Sequence, residues 1–454
     1  MADRDRPGVT LIVTCISYIV VILDTSIVNV ALERIGGGLH ADTAGLQWVV
    51  NAYTLIFASL LLTGGTLGDR WGARRVYLLG MAIFAAASAA CAAAPSLPLL
   101  VAARAVQGIG AALVVPNSLV MLNGAYADAG ARKRAVGIFA GGGGIALASG
   151  PLAGGALIAL FGWRAIFFVN LPICLAGMAL AWRLRDRGPA SRRAFDPAGQ
   201  VAAIVTLAAL AAGLIEGRAL GWWSPATLGI FATALAGLAV FLRVESRVAE
   251  PMVPLAILRR PAIAASAAVA LVMTFCLFGL IFILSLYFQQ IRLDSPLAAG
   301  AALLPTTASV TVTNLLSGRL GGRYGTRLPI LLGLGAAVLG FLCLLPLGPN
   351  VAYAWLVGPL LALGVAGGLV TPAVTSSLME AAAGFEPGLA SGVLNAARQI
   401  GTVLGVALLG TLIADRATFM SGMRWDMAIA ATVSLAAGIA ALRWLPAGTI
   451  ITEA

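Results

Sequence analysis

Apolar segments of about twenty residues recur along the whole chain, separated by short polar stretches. A helix needs about 20 mostly apolar residues to cross the hydrocarbon core of a bilayer. We predict fourteen such helices, at 9–32, 45–67, 75–94, 97–121, 135–160, 164–182, 199–217, 225–243, 262–288, 298–317, 328–346, 351–379, 389–414 and 425–445. Spans of this number and length leave room only for loops. The sequence therefore predicts an all-α, polytopic membrane protein with no separate ATPase or DNA-binding domain.

Composition excludes the other broad classes. Hydrophobic residues make up 60% of the chain and charged residues 10%, far from the balance of a soluble domain. The net charge of +11 is spread over short loops, which argues against a nucleic acid partner. The single histidine, His40, and five cysteines that lie inside apolar runs offer no ligand pattern. We therefore expect no metal, no cofactor and no enzymatic activity.

Basic residues indicate the orientation in the membrane. With the N-terminus inside, the cytoplasmic segments carry 21 Lys and Arg residues and the outer segments carry six. Cytoplasmic loops are enriched in Lys and Arg, so this bias favours a cytoplasmic N-terminus. An even number of helices then places the C-terminus on the same side.

Three motifs return in the second half of the chain at nearly equal offsets. The segment GGTLGDRWGARR at 64–75 returns as SGRLGGRYGTR at 317–327, an offset of 253. Two further segments, which begin at Gln107 and Ala135, have counterparts at offsets of 256 and 255. Helical repeats of this kind are typical of transporters. We predict an N-terminal six-helix bundle over 1–190, an inserted helix pair with its loops over 191–255, and a C-terminal six-helix bundle over 256–454.

The two halves differ in their charged residues. At the repeat offsets Asp69 becomes Gly322, Arg104 becomes Leu360, and Pro151 becomes Val406. We therefore expect ion coupling in the N-terminal half and a more apolar wall from the C-terminal half.

Four motifs together resemble the major facilitator superfamily, and specifically its fourteen-helix drug:proton antiporters. They are LDTSIVNVAL at 23–32, GGTLGDRWGARR at 64–75, RAVQGIGAA at 104–112 and ASGPLAGG at 148–155. The chain departs from the family at Glu33, where proline is usual. The resemblance implies the major facilitator fold in the cell (inner or plasma) membrane. It also implies a monomer, surrounded by lipid, that exports hydrophobic or cationic small molecules in exchange for protons. A transporter of lipids or lipid-like amphiphiles on the same scaffold is the alternative.

Two charges inside predicted spans are the candidates for proton coupling. Asp24 and Arg104 lie at similar depths in helices 1 and 4, and charges within spans are costly and usually functional. We predict that Asp24 binds a proton and a substrate cation in competition, with Arg104 as its partner. The alternative is a fixed ion pair that only neutralises both charges.

Polar and aromatic residues within other spans are candidates for the substrate cavity. The polar set is Asn29, Gln47, Asn51, Tyr53, Asn314, Asn395 and Arg398. A stripe at helical spacing adds Phe275, Phe278 and Phe282, which would suit flat or cationic substrates. The polar groups could instead bond neighbouring helices, and the aromatic stripe could instead pack or face lipid.

Two glycine-containing motifs are predicted to be mechanical. The gating loop comprises Gly65, Gly68, Asp69, Arg70, Gly72 and Arg74. Its arginines can face carboxylates or lipid headgroups, and positive-inside charge alone is the alternative reading of Arg74. The resemblance implies that this loop latches the halves together. The antiporter motif comprises Gly150, Pro151, Gly154 and Gly155, small residues that allow helices to pack closely.

Overall fold

The structure, a computed structural model, describes residues 7–185, 188, 196–248, 257–383 and 387–446. Within those ranges the regular structure is helical, with no strand. The fourteen main helices, α1 to α14, are Pro7–Leu39, Thr43–Trp71, Ala73–Ala93, Leu97–Ala125, Ala129–Phe161, Ala165–Ala181, Pro197–Leu220, Pro225–Glu245, Pro261–Ile291, Pro296–Tyr324, Arg327–Leu344, Tyr353–Ala381, Pro387–Leu412 and Phe419–Trp444. All but α6 are long and apolar enough to cross a membrane. The predicted all-α, polytopic fold class is confirmed.

Several helices differ from their predicted bounds. The predicted end of α1 at residue 32 is wrong, because the helix continues to Leu39. It ends there because the next residue, His40, has a φ of 52°, which is not a right-handed helical value. The predicted sixth helix consists of two segments, Ala165–Phe168 and Asn170–Ala181. Pro172 has no N–H to donate to the carbonyl four residues earlier, which weakens the helix at this break. The last turns of α9, Tyr287–Ile291, form a π-helix.

The described residues divide into two compact units. The first contains the described residues of Met1–Ala41, with Trp48–Thr206 and Ser295–Ala301. The second contains Asp42–Gln47 and the described residues of Leu207–Asp294 and Ala302–Ala454. The domain boundaries predicted at 190 and 255 lie outside the described residues.

The same helix packing occurs within each of the two units. In the first unit α1 packs against α5 and α6, and α3 packs against α4 and α6. In the second unit α9 packs against α13 and α14, and α11 packs against α12 and α14. The starts of α1 and α9, Pro7 and Pro261, are 254 residues apart, as are the starts of α6 and α14. The packing therefore follows the repeat seen in the sequence.

Candidate functional site

The predicted pair of charges is formed in the first unit. Asp24 on α1 is fully buried, and Arg104 on α4 is 1% exposed. Arg104 Nη1 lies 2.5 Å from Asp24 Oδ2. Removing two charges from water is costly, and the attraction between them offsets this cost only where other polar groups complete the site.

Two side-chain amides complete the coordination of the Asp24 carboxylate. Gln107 Nε2 donates to Asp24 Oδ1 at 2.9 Å, and Asn170 Nδ2 donates to the same oxygen at 2.8 Å. Both amides also donate to Ser88 Oγ, at 2.8 and 3.3 Å. Hydrogen bonds to a charged group contribute roughly 1.5–3 kcal/mol each. Helices α1, α3, α4 and α6 thus meet at one buried carboxylate.

Arg104 is held by further contacts. Its Nε donates to the Val49 carbonyl at 3.1 Å, and its Nη1 donates to Gln107 Oε1 at 2.6 Å. The guanidinium carbon lies 4.3 Å from the centre of the Tyr53 ring and 5.8 Å from that of Phe167. An aromatic face attracts a cation, most strongly where water is excluded. The arrangement can therefore hold Arg104 charged and respond to any change in the charge of Asp24.

Three residues of this site are not among those predicted from the sequence: Gln107, Asn170 and Ser88. Gln107 lies three residues after Arg104 in the RAVQGIGAA motif, a spacing that places both side chains on one helix face. Asn170 lies directly after the break in α6. The spacing from Arg104 is the sequence signal for Gln107, and Pro172 two residues later is the signal for Asn170. No comparable signal marks Ser88.

The predicted cavity residues of α1 and α2 have different surroundings. Tyr53 belongs to the charged cluster through its contact with Arg104. Asn29 donates to the Thr25 carbonyl one turn earlier on α1. Gln47 belongs to the second unit, where its Nε2 donates to the carbonyls of Val406 and Ala407 at 2.8 and 2.7 Å. Asn51 is fully buried, and neither of its amide atoms has a hydrogen-bond partner among the described residues.

The predicted cavity residues of the C-terminal half differ in their burial. Phe282 is fully buried and Phe275 is 7% exposed, whereas Phe278 is half-buried. Arg398 Nη2 donates to Thr375 Oγ1 at 2.7 Å. Asn314 and Asn395 are half-buried. In this unit the aromatic stripe therefore packs largely inside the protein.

The gating loop fixes the ends of three helices. Gly72, with φ of 95°, separates α2 from α3, and a side chain there would be strained. Two residues later Arg74 donates to the carbonyls of Trp182 and Leu184, at the end of α6. Both of these hydrogen bonds come from Arg74 Nη1, so this nitrogen holds the end of α6 against the start of α3. Asp69 is half-buried and Arg70 is exposed.

The same loop arrangement occurs in the second unit. Gly325 has φ of 80° and separates α10 from α11. Two residues later Arg327 donates to the Leu442 carbonyl near the end of α14. The glycine supplies the left-handed turn, and the arginine binds carbonyls that the helix end leaves without a partner.

Gly68 allows α2 and α4 to approach closely, because a Cβ there would collide with the Asn117 side chain. A Cβ at Gly65 would lie 3.7 Å from Pro116 Cβ, an ordinary contact distance, so the packing does not require glycine there. Asn117 Nδ2 also donates to the Gly64 carbonyl at 2.8 Å.

The antiporter motif packs α5 against α1 next to Asp24. A Cβ at Gly150 would collide with Ser26, and one at Gly154 would lie 2.6 Å from Ile27 Cγ1. A Cβ at Gly155 would lie 2.6 Å from Leu297 Cα. α5 runs without a break from Ala129 to Phe161, and Pro151 lies inside it. The motif therefore sets the position of the α1 segment that carries the buried carboxylate.

Comparisons with known proteins identify the family. The family model described as Major Facilitator Superfamily matches residues 14–406. The "Methylenomycin A resistance protein" of Bacillus subtilis (strain 168) is 36% identical over 94% of this chain and 92% of its own length. The "Tetracenomycin C resistance and export protein" of Streptomyces glaucescens is 35% identical over 98% of this chain and 84% of its own length.

A solved structure supports the fold. It is described as "Structural insights into substrate recognition in proton dependent oligopeptide transporters", with a TM-score of 0.67 and 16% identity over 95% of this chain and 97% of that one. At that identity the likeness concerns the fold alone. By its family match, its relatives and its apolar helices, the chain belongs to the Major Facilitator Superfamily and is a multi-pass plasma-membrane transporter, not an enzyme.

Proposed function

We propose that this protein is a proton-coupled antiporter that exports hydrophobic or cationic small molecules by alternating access. The observation that carries the proposal is the buried Asp24–Arg104 pair with its two amide donors. The names of the relatives, which refer to antibiotic resistance and export, support efflux of such compounds. The bias of Lys and Arg supports cytoplasmic termini. The protein works as a monomer in this proposal.

Protonation of Asp24 couples the proton to the protein's conformation. A proton on the carboxylate removes the negative charge that faces Arg104 and leaves a buried cation without its partner. Breaking a buried pair in this way costs about 3–5 kcal/mol. That cost disfavours the packing described here and favours a conformation in which Arg104 has other neighbours or water. A transporter that switches in response to protonation is thereby coupled to the proton gradient.

A substrate cation competes with the proton for the same negative charge. Binding of either ligand at Asp24 disfavours binding of the other. Each conformational switch therefore carries either a proton into the cell or the cation out of it. For a neutral substrate the membrane potential drives export, since one proton crossing 100 mV releases about 2.3 kcal/mol. For a monovalent cation the exchange of one proton moves no net charge, and the pH gradient drives it. Each pH unit adds about 1.4 kcal/mol. The gating loop and the antiporter motif would control when α1 can move.

Competition at Asp24 is tested by binding of ethidium, an aromatic cation, to the purified protein across a range of pH. Wild-type affinity should fall as the pH falls, by up to about tenfold per pH unit, because protonated Asp24 no longer attracts the cation. Asp24→Asn should bind ethidium more weakly and without this pH dependence. Asp128→Asn is the matched control, since Asp128 is an exposed N-cap of α5 and asparagine also caps helices. Equal pH dependence in wild type and Asp24→Asn would reject the role of Asp24.

A further inference from the structure

A second buried carboxyl group lies in the C-terminal unit, on α14. Asp426 has no exposed surface, and both of its carboxylate oxygens are without a hydrogen-bond partner among the described residues. It is seven residues from the start of α14 at Phe419, roughly 10 Å along the helix. Without hydrogen bonds, the carboxyl group of Asp426 does not stabilise the fold. Acids inside membrane spans are usually functional.

α14 is the counterpart of α6 in the repeat. Asp426 lies seven residues after the start of α14, and Asn170 lies five residues after the start of α6. α6 packs against α1 and α3, and α14 packs against their counterparts α9 and α11. The second unit therefore carries a buried acid on the helix that corresponds to α6. Leucine replaces the cation that accompanies the acid of the first unit.

The neighbouring helices supply no counter-charge. On α9 the titratable groups are Cys276, whose thiol lies 3.6 Å from Ser434 Oγ, and Tyr287, whose hydroxyl donates to the Gly348 carbonyl. Ser434 is eight residues, or roughly 12 Å, along α14 from Asp426. These two groups are weak acids whose ordinary state is neutral.

The charged residues of the other packed elements are also directed elsewhere. On α11 Arg327 donates to the Leu442 carbonyl, and Cys343 is exposed. On α13 Arg398 donates to Thr375. On α14 itself Arg424 is exposed, and Arg443 lies in the last turn. In this part of the described structure, a proton is the ligand that can neutralise the Asp426 carboxyl group.

We propose that Asp426 is a second proton-binding site, which gives the transporter a ratio of two protons to one cation. Asp426 holds one proton as a carboxylic acid in the buried state and releases it to water as a carboxylate in the opposite state. Exchange of one proton at Asp24 for a monovalent cation moves no net charge. The second proton makes the exchange move one positive charge, so that the membrane potential also drives export. The inference rests on the proposed antiport and concerns its stoichiometry.

The test is the ethidium gradient that proteoliposomes reach at steady state with an internal pH one unit below the external pH. The membrane potential is held at zero with valinomycin and equal potassium on both sides. Each coupled proton then supports about a tenfold ethidium gradient. Wild type should reach about a hundredfold, and Asp426→Asn should reach about tenfold. Asp415→Asn is the control, because Asp415 is 49% exposed in a surface ion pair with Arg218, and it should match wild type.

Each result decides the stoichiometry. A wild-type gradient that stays near tenfold overturns the second site, and this measurement does not require a folded variant. A hundredfold gradient that persists in Asp426→Asn also overturns it, because the second proton then binds elsewhere. If wild type builds no gradient at all, the antiport itself is rejected, and this outcome is distinct from a tenfold gradient.

Discussion

Asn170 donates a 2.8 Å hydrogen bond to the carboxylate of Asp24, from the first residue after the break in α6. α6 packs against α1 and α3, and the Asn170 amide also reaches Ser88 on α3. Gln107 and Asn170 both donate to Oδ1 of Asp24, whereas Arg104 contacts Oδ2. The orientation of the buried acid thus depends on α6, the shortest main helix in the described structure.

Replacing Asn170 with alanine should weaken this orientation. The carboxylate would lose one donor, and we expect a loss of roughly 1.5–3 kcal/mol in the free energy of unfolding. Ethidium transport should fall, because Asp24 is no longer held in one position. Denaturant unfolding in detergent and transport in proteoliposomes measure the two effects.

The control for this variant is Asn350→Ala, in an exposed turn of the second unit, which should leave both quantities unchanged. Wild-type stability and transport in Asn170→Ala would show that the hydrogen bond to Asp24 has no part in the site.

The single variant Arg104→Gln should be less stable than the double variant that combines Arg104→Gln with Asp24→Asn. The single variant leaves the buried Asp24 carboxylate without its cation, at a cost of about 3–5 kcal/mol. The double variant removes both charges, so part of that loss should be recovered. A double-mutant cycle on unfolding free energies gives the coupling. Additive effects of the two single changes would contradict a strongly coupled pair.

Glycines on the two faces of α5 should differ in their tolerance of alanine. A Cβ at Gly154 would lie 2.6 Å from Ile27 Cγ1, and we expect a loss of about 1–3 kcal/mol in unfolding free energy. A Cβ at Gly144 meets nothing within 4 Å, so alanine there should be neutral or stabilise the helix by up to about 1 kcal/mol. Thermal unfolding of the two purified variants makes the comparison. Equal tolerance at both positions would show that α1 and α5 are not closely packed at Ile27.

The fold and the ion pair could be predicted from sequence because each produces a strong local signal. Apolar runs of about twenty residues define the helices, and single charges such as Asp24 and Arg104 stand out within them. Their pairing followed from opposite charge and similar depth. The antiporter motif predicted close helix packing, but the contact between Gly150 and Ser26, next to Asp24, is visible only in the structure.

The amide donors and the second acid could not be predicted with the same rules. Neutral polar residues such as Gln107 and Asn170 commonly bond nearby backbone in membrane helices, so their sequence context does not identify a charged partner. The predicted helix at 425–445 places Asp426 at a helix end, where an acid does not stand out. α14 begins at Phe419, and the acid therefore lies about two turns inside the helix, on its buried face.

Transport driven by a pH gradient across Asp24→Asn proteoliposomes tests the role of Asp24 most directly. With the membrane potential held at zero and an acidic interior, wild type and Asp128→Asn should accumulate ethidium above the level of protein-free liposomes. Asp24→Asn, reconstituted to the same density and folded, should stay at the protein-free level, because the proton no longer alters the charge that faces Arg104. Accumulation by Asp24→Asn to the wild-type level would contradict proton coupling through this carboxyl group.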